Sequence, residues 1–414
     1  MTMAMDGRIA TSRYHGLDFV RALMMSLGVV LHTALVFMPE GWIYMDPDSV
    51  AWSPLIVWTI HIFRMSAFFV MAGFFGAMLY ARRGTATFLG HRFDRIVVPL
   101  VIGWFVLSPL MSWSLSFAWT HQAIDPAEAG GAWAAIALAW ERMSLAMNWG
   151  DAGPGHLWFL YFLVWYYAAA VLVAPVVVRL GVASRFLHAA IGGICTGRAR
   201  FTRMPILIGV SFLLMLGMKE PGIDTSLEWA PDWYLLLTYA WPFTVGWLAW
   251  HHRGVIDELR RWCWLRLGAA VLLLVLAVGG MLAWHASQPP SAWLFPVVQL
   301  LSAAACWTTT LALIGCCERL LRRERPTIRY LVDASYWIYL MHMPLTIAVP
   351  ALMRSWVAPG LLKMTVSIAI TTLILLVTYH VLVRNTVVGV VLSGRRYPAW
   401  PFGRTLRPEP APSE

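Results

Sequence analysis

The chain has 414 residues, 59% of them hydrophobic and only 13% charged, against roughly 45–50% and about 25% in soluble domains. That balance excludes a soluble enzyme and points to an all-α, polytopic bundle of transmembrane helices. The net charge of +10 invites a nucleic-acid partner, but its distribution along the chain answers to a lipid bilayer instead.

A span needs about 20 mostly apolar residues. Ten are predicted: 17–38, 52–80, 96–119, 157–178, 204–218, 233–250, 264–284, 293–315, 331–353 and 362–383. The first is too long for the apolar core of a signal peptide, contains charges and lacks a small-residue cleavage site, so it is read as a retained span. The second is long enough to tilt or project. Residues 132–149 are interrupted by Glu141 and Arg142 and read as an interfacial helix.

With the N-terminus placed in the cytoplasm, most of the 31 Lys and Arg residues fall in inner segments. Only Arg142, Lys219, Arg354 and, at the outer edge of the last span, Lys363 fall on the outer side; Arg266 stands at the inner edge of a span, and Arg21 and Arg64 lie deeper within spans. A wrong span count would scramble that alternation. Both termini are therefore expected inside, in the cytoplasm. One transmembrane domain, 1–390, precedes a polar, Pro-rich cytoplasmic tail, 391–414, read as disordered. Of the five cysteines, none falls in an outer loop and none has zinc-site spacing, so neither a disulfide framework nor a metal is expected. Cys306, Cys316 and Cys317 read as small core residues of a helix.

The first span carries Asp18, Arg21 and His32. Charged groups within a span are costly and usually face a bundle interior or a wet cavity. Arg21 and His32 are just over three turns apart and share a face, with the imidazole roughly 16 Å further along. Asp18 and Arg21 are i,i+3 neighbours able to pair. The second span carries His61 and Arg64 one turn apart, the ninth carries His342, and the fourth opens at His156. A lone histidine at depth is as readily a hydrogen-bonded core residue; several near one level suggest a polar cavity. Arg82, Arg83, Arg92 and Arg95 cluster in the loop after the second span. Inner loops are basic by rule, but paired guanidinium forks also grip phosphates. Trp at span ends, including Trp52, Trp119, Trp250 and Trp284, suits an interfacial belt; Trp42, Trp149 and Trp158 are candidates for stacking on sugar.

These residues together resemble the acyltransferase-3 membrane family. LDFVRALMMSLGVVLH carries its Arg-x10-His spacing at Arg21 and His32. FFVMAGFF is similar to its second span, with Ala72 where serine is common, and RFDR to its Arg-x-x-Arg loop at Arg92 and Arg95. GHLWFLYFL and SYWIYLMHMPL resemble later signatures, and the likeness runs from about 15 to 345. Within the family, HIFRMSAFFVMAGFF and HLWFL are most similar to a branch that modifies periplasmic glucans.

The resemblance implies an O-acyltransferase with a cytoplasmic acyl-CoA donor, succinyl-CoA or acetyl-CoA, and a hydroxyl of an extracytoplasmic glycan as acceptor. His32 is then the expected general base, with an acyl-histidine intermediate as the alternative. Arg64, His61 or His342 stabilises the oxyanion or orients His32. Arg92 and Arg95, with Arg82 and Arg83 behind them, hold CoA phosphates; Asp18 and Arg21 line the path of the pantetheine arm. His156 and Trp158 are expected at the acceptor. A proton-coupled transporter or flippase is the main rival, since intramembrane His and Arg also mark such paths. The acyl group, the partner proteins and the oligomeric state are not set by the sequence.

Overall fold

The computed structural model describes residues 14–40, 42–123, 132–146, 153–179, 181–195, 197–287, 291–394 and 396–398. Fourteen α-helices account for most of these residues, and no strand occurs among them. They are α1 His15–Val36, α2 Ser53–Arg92, α3 Val98–Ala123, α4 Ala132–Ala146, α5 Trp158–Arg179, α6 Val182–Cys195 and α7 Arg203–Met215, then α8 Trp233–His251, α9 Val255–Arg261, α10 Cys263–Ala286, α11 Leu294–Leu320, α12 Pro326–Leu352, α13 Gly360–Thr378 and α14 Val387–Ser393.

Among the described residues, six stretches are long and apolar enough to cross a membrane: His15–Val36, Ser53–Thr120, Gly155–Val177, Cys263–Ala286, Leu294–Leu320 and Gly360–Val383. The second takes in two expected spans. It breaks at Gly84, whose φ of 72° and ψ of 176° is a conformation essentially reserved for glycine. A π-helical turn at Phe93–Val97 then leads into α3. Of the remaining expected spans, 233–250 and 331–353 appear as α8 and α12, while 204–218 is only the 13-residue α7. The helices α6, α9 and α14 lie in segments expected to be connections. α14 also crosses the expected domain boundary at 390. Trp149 and most of the tail lie outside the described residues.

Two rules set the packing. Where helix backbones meet, small residues allow it: α10 turns Ala270 and Ala277 inward, fully buried, and Leu265, Leu272 and Val275 outward. Where helices begin, a side chain can satisfy free N–H groups. Asp232 caps α8 through Tyr234 N at 2.8 Å. Glu318 of α11 accepts from Leu17 N of α1 at 2.8 Å. The cysteines of α11 are buried, as expected of core residues.

Two ionic clusters stand at connections. Glu258 of α9 bonds both arms of the Arg203 fork, at 2.8 and 3.0 Å, and Arg266 at 3.0 Å. Lys363, fully buried, donates to Asp48 at 2.5 Å and to the Arg354 carbonyl at 3.0 Å, and lies 3.5 Å from Asp46. It therefore ties the start of α13 to the loop between α1 and α2. Trp250 is also buried, with Arg82 and Arg253 over its ring, so it is not part of an exposed aromatic belt.

Candidate active site

Four of the expected side chains converge. His32 comes from α1, Arg64 from α2, His342 from α12, and His156 from the short 3₁₀ turn that opens α5. The rings of His32 and His342 are 5.2 Å apart between centroids. His156 lies 5.9 Å from His342, perpendicular to it.

The backbone fixes how these rings present themselves. His342 Nδ1 lies 2.7 Å from the Tyr339 carbonyl. A carbonyl only accepts, so Nδ1 carries the proton and Nε2 of the neutral ring keeps a bare lone pair. Pro344 has no N–H, so the Leu340 carbonyl one turn back lacks its helical donor. His156 Nε2 takes that place at 3.0 Å, and the Tyr339 hydroxyl donates to the His156 carbonyl at 3.0 Å. One proline thus creates the acceptor that aims His156.

His342 Nε2 and His32 Nδ1 are buried without a hydrogen-bond partner. Such atoms are costly in a packed interior, and a ligand that bonds them removes the cost. Arg64 is only 6% exposed. Its Nε donates to the Met24 carbonyl at 2.8 Å, laying the guanidinium across α1. No carboxylate among the described residues pairs with it. A buried cation without a counter-ion is poised for an anion.

Two expected members stand apart. His61 donates through Nε2 to the Ile223 carbonyl at 3.0 Å, so it anchors the chain before α8. Trp158 is buried against Phe69, Phe162 and Tyr239. It packs the aromatic core and presents no face for stacking on sugar. Position along a span does not tell which neighbour a side chain meets.

A cavity of about 720 Å³ lies at the arginine-rich end of the same helices. Arg21, Arg82, Arg92, Arg95 and Arg329 line it, against two carboxylates, Asp18 and Asp333. Arg21 pairs with Asp18 at 3.5 Å, the pair expected from their spacing. Arg92 lies over the Tyr167 ring, 4.5 Å from its centroid. Arg95 donates to the carbonyls of Val390 and Val391 at 3.4 and 3.1 Å, the carboxyl end of α14. Arg83 does not line the cavity and is exposed.

Arg329 and Asp333, paired at 2.7 Å, were not anticipated. Their i,i+4 spacing at the start of α12 is a one-turn signal of the same kind as the i,i+3 spacing of Asp18 and Arg21. Tyr336, which donates to the Arg95 carbonyl at 2.9 Å, and Tyr397 beyond α14 complete that wall.

The cavity and the histidines are distinct. The deep wall includes Met25, Phe68, Phe159 and Leu160, and neither His32, Arg64 nor His342 lines the cavity. Phe68 and Phe159 meet at 4.4 Å between ring centroids. Met25 and His32 are seven residues apart on α1, a rise of about 10 Å. An aromatic layer thus separates the cationic cavity from the His–Arg centre.

The sequence matches the acyltransferase domain over residues 14–380. It is similar to proteins named glucans biosynthesis protein C. That of Salmonella heidelberg (strain SL476) is 24% identical over 397 residues, spanning 94% of this chain and 96% of the relative. The one from Salmonella typhimurium (strain LT2) matches to the same extent. That of Escherichia coli O139:H28 is 23% identical over 411 residues, with the same shares covered. No solved structure matches the chain.

Proposed function

Because the chain belongs to the acyltransferase-3 family and is a multi-pass membrane acyltransferase, we propose that it moves a succinyl or acetyl group from cytoplasmic acyl-CoA to a hydroxyl of an extracytoplasmic glycan. In this reading ten helices cross the bacterial inner membrane, with both termini in the cytoplasm. The arginine-lined cavity faces the donor, and the His–Arg centre is the meeting point with the acceptor. The name shared by the relatives supports a glucan acceptor.

The observation that carries the reading is the convergence of His32 Nδ1, His342 Nε2 and an uncompensated Arg64 beyond a cavity rich in guanidinium groups. Arg92, Arg95, Arg82 and the newly found Arg329 hold the CoA phosphates. The pantetheine arm passes Arg21 and Asp18, and the aromatic layer at Phe68 and Phe159 parts to admit it. His32 takes the proton of the attacking hydroxyl. The oxygen bonds to the thioester carbon, and Arg64 faces the negative charge on the carbonyl oxygen. The carbon–sulfur bond then breaks, and the leaving thiolate recovers the proton. His342 presents its bare Nε2 to the same space and orients the hydroxyl. For a succinyl group, Arg64 also suits the free carboxylate; an acetyl group offers it only the oxyanion.

The test compares glycans from wild-type cells, a deletion, and a deletion carrying His32→Ala, isolated with their esters intact and weighed by mass spectrometry. An acyl mass lost in the deletion and not restored by His32→Ala is expected. Restoration by His32→Ala removes His32 from the chemistry. Purified protein in detergent should also release CoA from acyl-CoA only when glycan is present. Absence of that turnover, with no change in glycan esters, favours a transporter.

A further inference from the structure

The glycines of this bundle fall into different classes. At Gly73 and Gly246, an added Cβ would collide with the backbone of the facing helix, at Phe243 and Val70. Those are helix crossings, and any side chain there forces the helices apart. Gly28 of α1 is different. A Cβ there would lie 2.5 Å from Arg64 Nη2, 3.2 Å from Arg64 Cζ and 3.1 Å from His342 Nε2. Its nearest neighbours are the working ends of two side chains from α2 and α12.

Gly28 stands one turn from Met24, whose carbonyl receives Arg64 Nε at 2.8 Å, and one turn from His32, whose ring meets His342. Residues at i and i+4 share a helix face. The bare backbone at 28 is therefore where the guanidinium lies across α1, and it is also where His342 Nε2 approaches Arg64.

We propose that Gly28 is a positioning residue for acyl transfer: its missing side chain lets the Arg64 guanidinium and His342 Nε2 converge beside His32. The proposal rests on the acyltransferase reading of that centre and deepens it. An alanine methyl pushes the guanidinium off the Met24 carbonyl and away from His342. The arginine-lined cavity does not include Gly28, so binding of the CoA part of the donor is untouched.

The experiment uses full-length protein in detergent, succinyl-CoA or acetyl-CoA as donor, glucan as acceptor, and released CoA as readout. Gly28→Ala should lower kcat by roughly 100-fold, the scale of a 1 Å misplacement at a reacting centre, with the KM for acetyl-CoA, whose acyl group offers Arg64 no carboxylate, within about twofold. Gly209→Ala, where a Cβ meets nothing within 4 Å, should leave kcat unchanged. In an Arg64→Lys background no Nη2 remains to be struck, and the same methyl should cost less than about threefold. A role in helix packing alone predicts equal losses in both backgrounds, and that result overturns the proposal.

A cryo-electron microscopy map of Gly28→Ala decides the matter independently of activity. Arg64 displaced from the Met24 carbonyl supports the proposal, and Arg64 still seated there refutes it. If the wild type shows no acyl-CoA turnover, the functional reading fails, while the map still rules on the placement of Arg64.

Discussion

Arg64→Met should move activity and stability in opposite directions. Two costs decide the stability. The variant loses the charge-assisted bond from Nε to the Met24 carbonyl, about 1.5–3 kcal/mol. It also escapes the penalty of holding an uncompensated cation in a bundle, several kcal/mol per ion. Met24's carbonyl keeps its helical donor, the Gly28 N–H, so no acceptor is orphaned. Methionine fills much of the vacated volume in an adaptable way. The net change should be neutral to stabilising, by up to roughly 4 kcal/mol. Loss of an oxyanion donor should lower kcat about 10²–10³-fold. Thermal unfolding in detergent and CoA release on the same preparation read both quantities. A variant that melts lower yet retains wild-type kcat per folded molecule would show that Arg64 is a packing residue, and the reasoning fails.

The arginines of the cavity should divide by partner. Arg92→Ala removes a guanidinium that rests on Tyr167 and should raise the donor KM with little effect on kcat. Arg95→Ala should raise the donor KM and also free α14, whose end carbonyls it holds; proteolysis near Ser393 should then speed up in this variant and not in Arg92→Ala. Equal cleavage of the two variants would count against the tether. A third expectation concerns pH. Burial pushes the Glu258 carboxyl up, but the Arg203 fork and Arg266 outweigh it and hold the carboxyl below the usual carboxylate range. A carboxylate depressed on folding adds stability above its unfolded pKa of about 4.3, and loses it as pH falls through the folded value. Glu258→Gln should therefore melt lower at pH 7, by about 1–2 kcal/mol of stability, and the gap should close towards pH 3. A gap that persists there would mean that the charge is not the cause.

Much of the arginine-lined cavity was legible in the sequence because its information is local. The pairing of Asp18 with Arg21 follows from one helical turn, and the clustering of Arg82, Arg92 and Arg95 follows from a short loop. The His–Arg centre was legible only as a list of groups at depth. Helical period gives the face a residue occupies, not the helix that face meets, so it does not tell that His32 and His342 meet each other while His61 turns to the Ile223 carbonyl and Trp158 to the aromatic core. Arg329 carried a readable spacing that was passed over. Gly28 carried none: a glycine in an apolar helix signals nothing until the guanidinium opposite it is seen. The helices α6, α9 and α14 lie between or beyond spans, where composition alone does not separate a helix from a connection.

The order in which the chain is made gives one contact a further meaning. Leu17 N at the start of α1 is satisfied by Glu318, 301 residues downstream, and His32 meets His342 near the end of the bundle. Ribosomes add about 5–20 residues each second, so roughly 15–60 s separate the two ends of such a contact. For that interval the first helix sits in or beside the bilayer with Arg21 and His32 lacking their final neighbours. Its own Asp18 neutralises part of the charge at once, because that partner is three residues away. α2 then brings Phe75 under Arg21 and Arg64 across α1, and the rest awaits α11 and α12. Until they arrive the first helix lacks part of its cover, and nascent chains cut before residue 318 should leave α1 open to chemical labelling from water.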